Sequence, residues 1–108
     1  MANVYKVLGQ VIPAATTATT LYTVPAATSA VCSTLSACNQ GATTTVRVAI
    51  RPAGATLATS QYIVYDAIIN ANDTLFLTIG VSLATTDVVT VYAGTANVSF
   101  GLFGSEIT

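Results

Sequence analysis

Apolar and polar residues alternate with a period of two along most of this chain. Such a period puts one set of side chains on each face of a half-buried β-strand. Thr74 to Leu83 shows it most clearly. Leu75, Leu77, Ile79, Val81 and Leu83 share one face, while Thr74, Thr78, Gly80 and Ser82 take the other with Phe76 as its one large apolar residue. Thr44 to Arg51 repeats the pattern, with Val46, Val48 and Ile50 inward and Thr45, Arg47, Ala49 and Arg51 outward. Asn97 to Phe103 sends Val98, Phe100 and Leu102 to the core. Val88 to Ala93 is apolar on both faces, which predicts a strand in mid-sheet or at an interface.

Four further segments complete the set. Ala30 to Cys38 is one strand. Val4 to Ile12 alternates less regularly, with Val4, Leu8 and Ile12 sharing a face with Lys6 and Gln10. Thr19 to Val24 is short and is ended by Pro25. Gln61 to Ile69 puts Tyr62, Val64 and Ile68 on one face and Ile63, Tyr65 and Ile69 on the other. β-branched residues dominate these runs, as a pleated surface favours. Turn-forming clusters separate them at residues 13–15, 25–28, 39–41, 51–54, 70–73, 84–87 and 93–96,. Eight short strands, seven turns and no sustained helical period predict a single all-β domain spanning 1–108. The architecture expected is an antiparallel β-sandwich, either jelly-roll or Ig-like.

Composition narrows the function. Only 6% of the 108 residues are charged and the net charge is −1, against roughly 25% charged in ordinary soluble domains. The charged residues are Lys6, Arg47, Arg51, Asp66, Asp73, Asp87 and Glu106, and there is no His or Trp. Three scattered cations make no basic stripe, so no nucleic-acid partner is expected. Mean hydropathy is +0.71, yet Thr, Ser, Asn or Gly interrupts every apolar run well short of the ~18 residues a spanning helix needs. No membrane partner is expected either, and the first residues lack the charged-then-apolar layout of a signal peptide.

Candidate chemistry is sparse. Cys32 and Cys38 lie six positions apart in one expected strand, about 20 Å along a straight strand where a disulfide needs Cα atoms within about 7 Å. Two free thiols acting as small hydrophobes are therefore expected, and a pair of thiols falls short of a metal site. Asp73 and Asp87 fall in turns. Asp66 sits within an apolar strand, where it can face solvent, pair with an Arg or blunt a sheet edge. No base stands at a useful spacing from a Ser or Thr nucleophile, and the glycines are isolated turn formers rather than a phosphate loop. The expectation is a non-enzymatic chain with no catalytic, cofactor or metal residues.

Partner contacts have better candidates. Arg47 and Arg51 are four apart on one strand and so project from the same outward face, where they can dock on an acidic patch. The C-terminal segment gathers Phe100, Leu102, Phe103 and Ile107 around a single charge, Glu106. Phe103 and Ile107 are the residues expected to meet a partner there, since a lone domain has little need of Phe on both faces of its last strand. A surface so poor in charge approaches copies of itself with little desolvation, which predicts a homo-oligomer, with a trimer the leading arrangement.

Two stretches, Leu21 to Gly54 (LYTVPAATSAVCSTLSACNQGATTTVRVAIRPAG) and Asp73 to Glu106 (DTLFLTIGVSLATTDVVTVYAGTANVSFGLFGSE), resemble small structural proteins of tailed bacteriophages. The likeness lies in the Tyr-Thr-Val-Pro entry, the Cys-Asn turn and the closing Val-Tyr-Ala and Asn-Val-Ser-Phe strands. The resemblance implies a β-sandwich virion component assembled in the host cytoplasm. A capsid decoration or cement protein, bound in many copies to the major capsid protein, is the first role it implies. A tail, neck or baseplate component that assists assembly or host binding is the second.

Overall fold

The computed structural model describes residues 2–108 and contains eight strands. They are β1 (Asn3–Val11), β2 (Thr19–Thr23), β3 (Ser29–Asn39), β4 (Thr44–Arg51), β5 (Tyr62–Ile69), β6 (Thr74–Leu83), β7 (Val88–Ala93) and β8 (Val98–Ile107). Among the described residues the only helical segments are two short 3-10 turns, Pro52–Gly54 and Thr59–Gln61, both between β4 and β5. No described helix is long and apolar enough to cross a membrane.

Two four-stranded antiparallel sheets pack as a sandwich. The first has the order β1-β8-β3-β6 and the second β2-β7-β4-β5. Four of the pairings, β1 with β8, β2 with β7, β3 with β6 and β4 with β5, are those of one long antiparallel ribbon folded back at the β4–β5 connection. Rolling that ribbon brings β8 beside β3 and β7 beside β4, and closes the two sheets of a jelly roll. The core between them is made by Leu35, Val46, Val48, Val89, Val91, Val98, Phe100 and Leu102, all essentially inaccessible. β7, apolar on both faces, lies inside the second sheet between β2 and β4.

Two strands depart from simple alternation. In β1 the register with β8 slips between Val7 and Gly9. This bulge leaves Lys6 and Leu8 facing the sandwich interior, then turns Gln10 outward and Val11 inward. Ile12 is consequently exposed instead of sharing a buried face with Leu8, and Val4 is also half exposed. In β5 the register with β4 slips on both sides of Val64. Tyr62 pairs with Ala49 on the outer face, Val64 with Val48 on the inner face, and Ala67 with Val46 on the inner face. Tyr62 and Ile68 therefore lie on the outer side with Tyr65, and Ile69 is buried. The cause is an extra residue in each bulge, one of them Asp66 in the left-handed region at φ 54°, which Asp tolerates better than most side chains.

β8 runs four residues beyond the expected end at Phe103. The apolar period fails at Gly104-Ser105-Glu106, but β1 and β3 pair with the strand on both sides as far as Ile107. Gly104 permits this, because a Cβ there would collide with the Val31 carbonyl of β3.

Candidate functional site

Each charged side chain has a polar partner inside the fold. Arg47 on β4 donates from Nε and Nη2 to the two carboxylate oxygens of Asp66 on β5, at 2.6 and 3.2 Å. Its guanidinium carbon lies 4.3 Å from the ring centre of Tyr65 and 4.5 Å from that of Tyr92, within cation–π range of both. Tyr62 meets Tyr65 edge to face at 5.0 Å. The carboxylate and the tyrosines hold the Arg47 proton more tightly than usual, the hydrogen bond donated to Asp66 being the largest cause.

Arg51 turns back onto its own connection. Its Nε donates to the Ala55 carbonyl at 2.7 Å, Nη2 to the Gly54 carbonyl at 3.1 Å and Nη1 to the Thr90 hydroxyl at 3.4 Å. Asp87 fixes the same segment from the other side, accepting from the Ala53 and Ala84 amides at 2.8 and 2.9 Å. The outer face of the second sheet is thereby partly roofed, and Ala49 and Thr90 are buried although they point away from the core. Arg47 and Arg51 do share one outward face, as their spacing predicts, and both guanidinium groups are engaged within the chain.

The remaining charges lie elsewhere. Asp73 accepts from the Thr74 amide at 2.8 Å at the start of β6. Lys6 and Glu106 pair at 2.9 Å on the inner side of the first sheet, where the Glu106 side chain is only 13% exposed. Tyr22 of the second sheet donates its hydroxyl to the other Glu106 oxygen at 2.6 Å, so this cluster ties the two sheets together. That donation, and then the Lys6 ammonium, hold the Glu106 carboxyl below the usual carboxylate range. Burial first, and the carboxylate second, push the Tyr22 hydroxyl well above its ordinary value.

The two thiols are free. A register slip between Cys32 and Thr34 turns the strand over, so Cys32 faces the core and Cys38 the outer surface. Burial pushes the Cys32 thiol up to about 11, which makes it a packing group rather than a nucleophile. Among the described residues no three of His, Cys, Asp and Glu come together as a metal site.

The outer face of the first sheet has the opposite character. Strand register arranges it in rows: Tyr5, Ser105, Val31 and Ser82; Val7, Phe103, Thr34 and Thr78; Gln10, Gly101, Ser36 and Phe76. None of these side chains is charged. Tyr5 is 82% and Phe76 69% exposed, and Val7 and Val31 are also open. Phe103 lies across the middle, half buried, with its ring tip about 3.0 Å from where a Cβ of Gly101 would be. A shallow depression lies on each side of it. The first, of about 360 Å³, is lined by Gln10, Val11, Ile12, Ser36, Ser99 and Gly101 among others. The second lies beside Tyr5, Val31 and Gly104, with Lys6 reaching its rim. Ile107 stands in line with Asn3 and Ser29 at one end of the same face.

The four residues expected to meet a partner are thus divided between opposite sides of the molecule, Phe103 and Ile107 on the first sheet and Arg47 and Arg51 on the second. Tyr5, Val7 and Val31 belong with Phe103 but stand out only when the strands are placed side by side. Phe76 was visible in the sequence as the odd residue of its face. Comparisons with known protein families, with characterised proteins and with solved structures find no match for this chain.

Proposed function

We propose that this chain is a non-enzymatic structural protein that works by packing against repeated surfaces. The role is that of a decoration or cement protein of a tailed-phage head, which the resemblance of Leu21–Gly54 and Asp73–Glu106 implies. The observation that carries the reading is the internal engagement of all seven charged side chains. A catalyst needs a titratable group free to meet substrate, and a charged ligand needs an unpaired counter-charge; this chain holds its charges in its own fold. What it presents outward is hydroxyl, methyl and aromatic surface, suited to many small contacts with little charge desolvation. The jelly roll does not choose among functions, since capsid proteins, lectins and cupins share it.

The test is an averaged density map of particles that carry this chain, together with deletion of its gene. Many copies spread over the head surface, and particles that assemble without the protein but burst more readily on heating, are the expected result. A few copies at the tail or neck would assign the second role the resemblance implies. Absence from the particle, or unchanged particle stability after deletion, would overturn the head-decoration reading.

A further inference from the structure

We infer that two copies of this chain pair face to face through the outer surface of the first sheet, with Phe76 of each copy seated in the depression beside Gln10 and Phe103 of the other. The inference needs no virion. It rests on the self-matching shape of one row of residues and on the absence of charge around it.

Gln10, Gly101, Ser36 and Phe76 occupy one row across β1, β8, β3 and β6. The row ends in a protrusion on one side, the exposed Phe76 ring, and in a depression on the other. There Gly101 is buried beneath the tip of the Phe103 ring, and Gln10, Ile12, Ser99 and Phe103 border a shallow open space of about 360 Å³. A two-fold axis parallel to the strands and midway between β8 and β3 reverses the strand order. It sets β6 of one copy over β1 of the other and keeps each row over itself. Phe76 then lies above the depression beside Gln10 and Phe103 of its partner, and the contact is made twice, as an isologous pair requires. Strands spaced ~4.8 Å apart put Phe76 about 7 Å from that axis. The usual ~30° rotation between packed sheets moves it by about 4 Å, still within the depression.

The area is sufficient. Four strands of about ten residues span roughly 19 by 33 Å, a footprint of about 600 Å² per copy and about 1,200 Å² for the pair, at the lower bound of stable interfaces. No charged group on the face has to be desolvated or matched, and Lys6 at its rim is already paired with Glu106. Charge gives a foreign partner nothing to read here, whereas a second copy supplies both the ring and the depression. Face-to-face packing closes with two copies, so a dimer takes the place of the trimer expected from composition.

Sedimentation equilibrium of the purified full chain over micromolar to millimolar concentration tests the pairing. A monomer–dimer equilibrium is expected. Phe76→Lys should weaken it at least tenfold without lowering the thermal midpoint of the monomer in dilute solution, while Ile68→Lys, at an equally exposed position of the second sheet (70%), should leave it unchanged. In a Cys38→Ser background, the Gln10→Cys/Phe76→Cys double variant should form a covalent dimer on mild oxidation, and either single variant should form less. A chain that stays monomeric throughout, a trimer, a dimer indifferent to Phe76→Lys, or no selective cross-link would each overturn the arrangement. None of these measurements involves a particle, so failure here leaves the decoration reading standing on its own test.

Discussion

The outer face of the second sheet carries Arg47, Asp66 and Arg51 and uses all three within the chain, whereas the outer face of the first carries no charge and leaves Tyr5, Val7 and Phe76 open. On the second sheet, polar groups that reach outward are drawn back by a partner on the same surface: Arg47 by Asp66 and two tyrosine rings, Arg51 by the carbonyls of its own connection. On the first sheet, Ser, Thr and Gly surround the Tyr5 and Phe76 rings, which stand largely exposed. On the second sheet the charged groups serve the monomer, although Tyr65 and Ile68 stay open beside them. The first sheet contributes to it only through its inner side, and its outer side is free to meet something else.

The largest expected loss of stability comes from neither face and sets the scale for both. Asn39 is 1% exposed at the end of β3. Its Nδ2 lies 2.9, 3.2 and 3.2 Å from the Ala42, Ile69 and Asn70 carbonyls, and its Oδ1 accepts from the Gly41 amide at 3.0 Å. This side chain joins the β3–β4 turn to the β5–β6 turn. Asn39→Ala strands several buried groups and should cost about 3 kcal/mol, a fall in thermal midpoint of more than about 10 °C for a domain of this size. Calorimetry reads it directly.

Tyr22→Phe comes next, at about 1.5 kcal/mol for a part-buried hydrogen bond to a carboxylate, and it carries a pH signature. Glu106 titrates below its ordinary range in the folded chain, so its contribution is present above that range and is lost as pH falls through it,. Tyr22 titrates above its ordinary 10.0, so its contribution is complete below that value and is lost as pH rises beyond it,. Chemical denaturation across pH should show the parent losing stability at both extremes and the variant losing less at each. Identical profiles would remove the cluster from the account of how the sheets are joined.

Arg51→Ala should cost about 1 kcal/mol, since it frees two largely accessible carbonyls, but it should markedly speed proteolytic nicking within residues 52–61. Limited proteolysis with mass spectrometry checks it, and unchanged nicking would mean that the roof on the second sheet is held by something else. The smallest effect belongs to the uncharged face. Tyr5→Ser and Phe76→Ser should each alter monomer stability by less than about 0.5 kcal/mol, measured in dilute solution. A larger loss would show that this surface is part of the monomer after all and erase the contrast between the faces.

All eight strands and their turns were legible because alternation, β-branched residues and Gly, Pro or Asn punctuation act locally. The faces of β1 and β5 were not. A bulge inserts one residue, reverses every side chain after it and leaves no mark on composition; the only hint was Asp66, a charged residue within an apolar run. The choice between jelly roll and Ig-like sandwich was closed to local reading for a related reason, since it depends on which distant strand lies alongside. The same holds for Tyr22 and Glu106, which are 84 positions apart and become neighbours only when β2 and β8 occupy facing sheets. Among the candidate contact residues, Phe103 and Arg47 each faced outward as their parity required. What parity could not say is that they face opposite ways.

The nested pairing of the strands also sets a timetable for folding. Closing a loop is easiest for the shortest one, so β4 with β5 is the natural first hairpin, followed outward by β3 with β6, β2 with β7 and finally β1 with β8. The last pair to zip is the one that supplies Tyr5, Val7, Gly101 and Phe103. A growing or half-folded chain therefore lacks the finished outer face of the first sheet, which is assembled only in the native state.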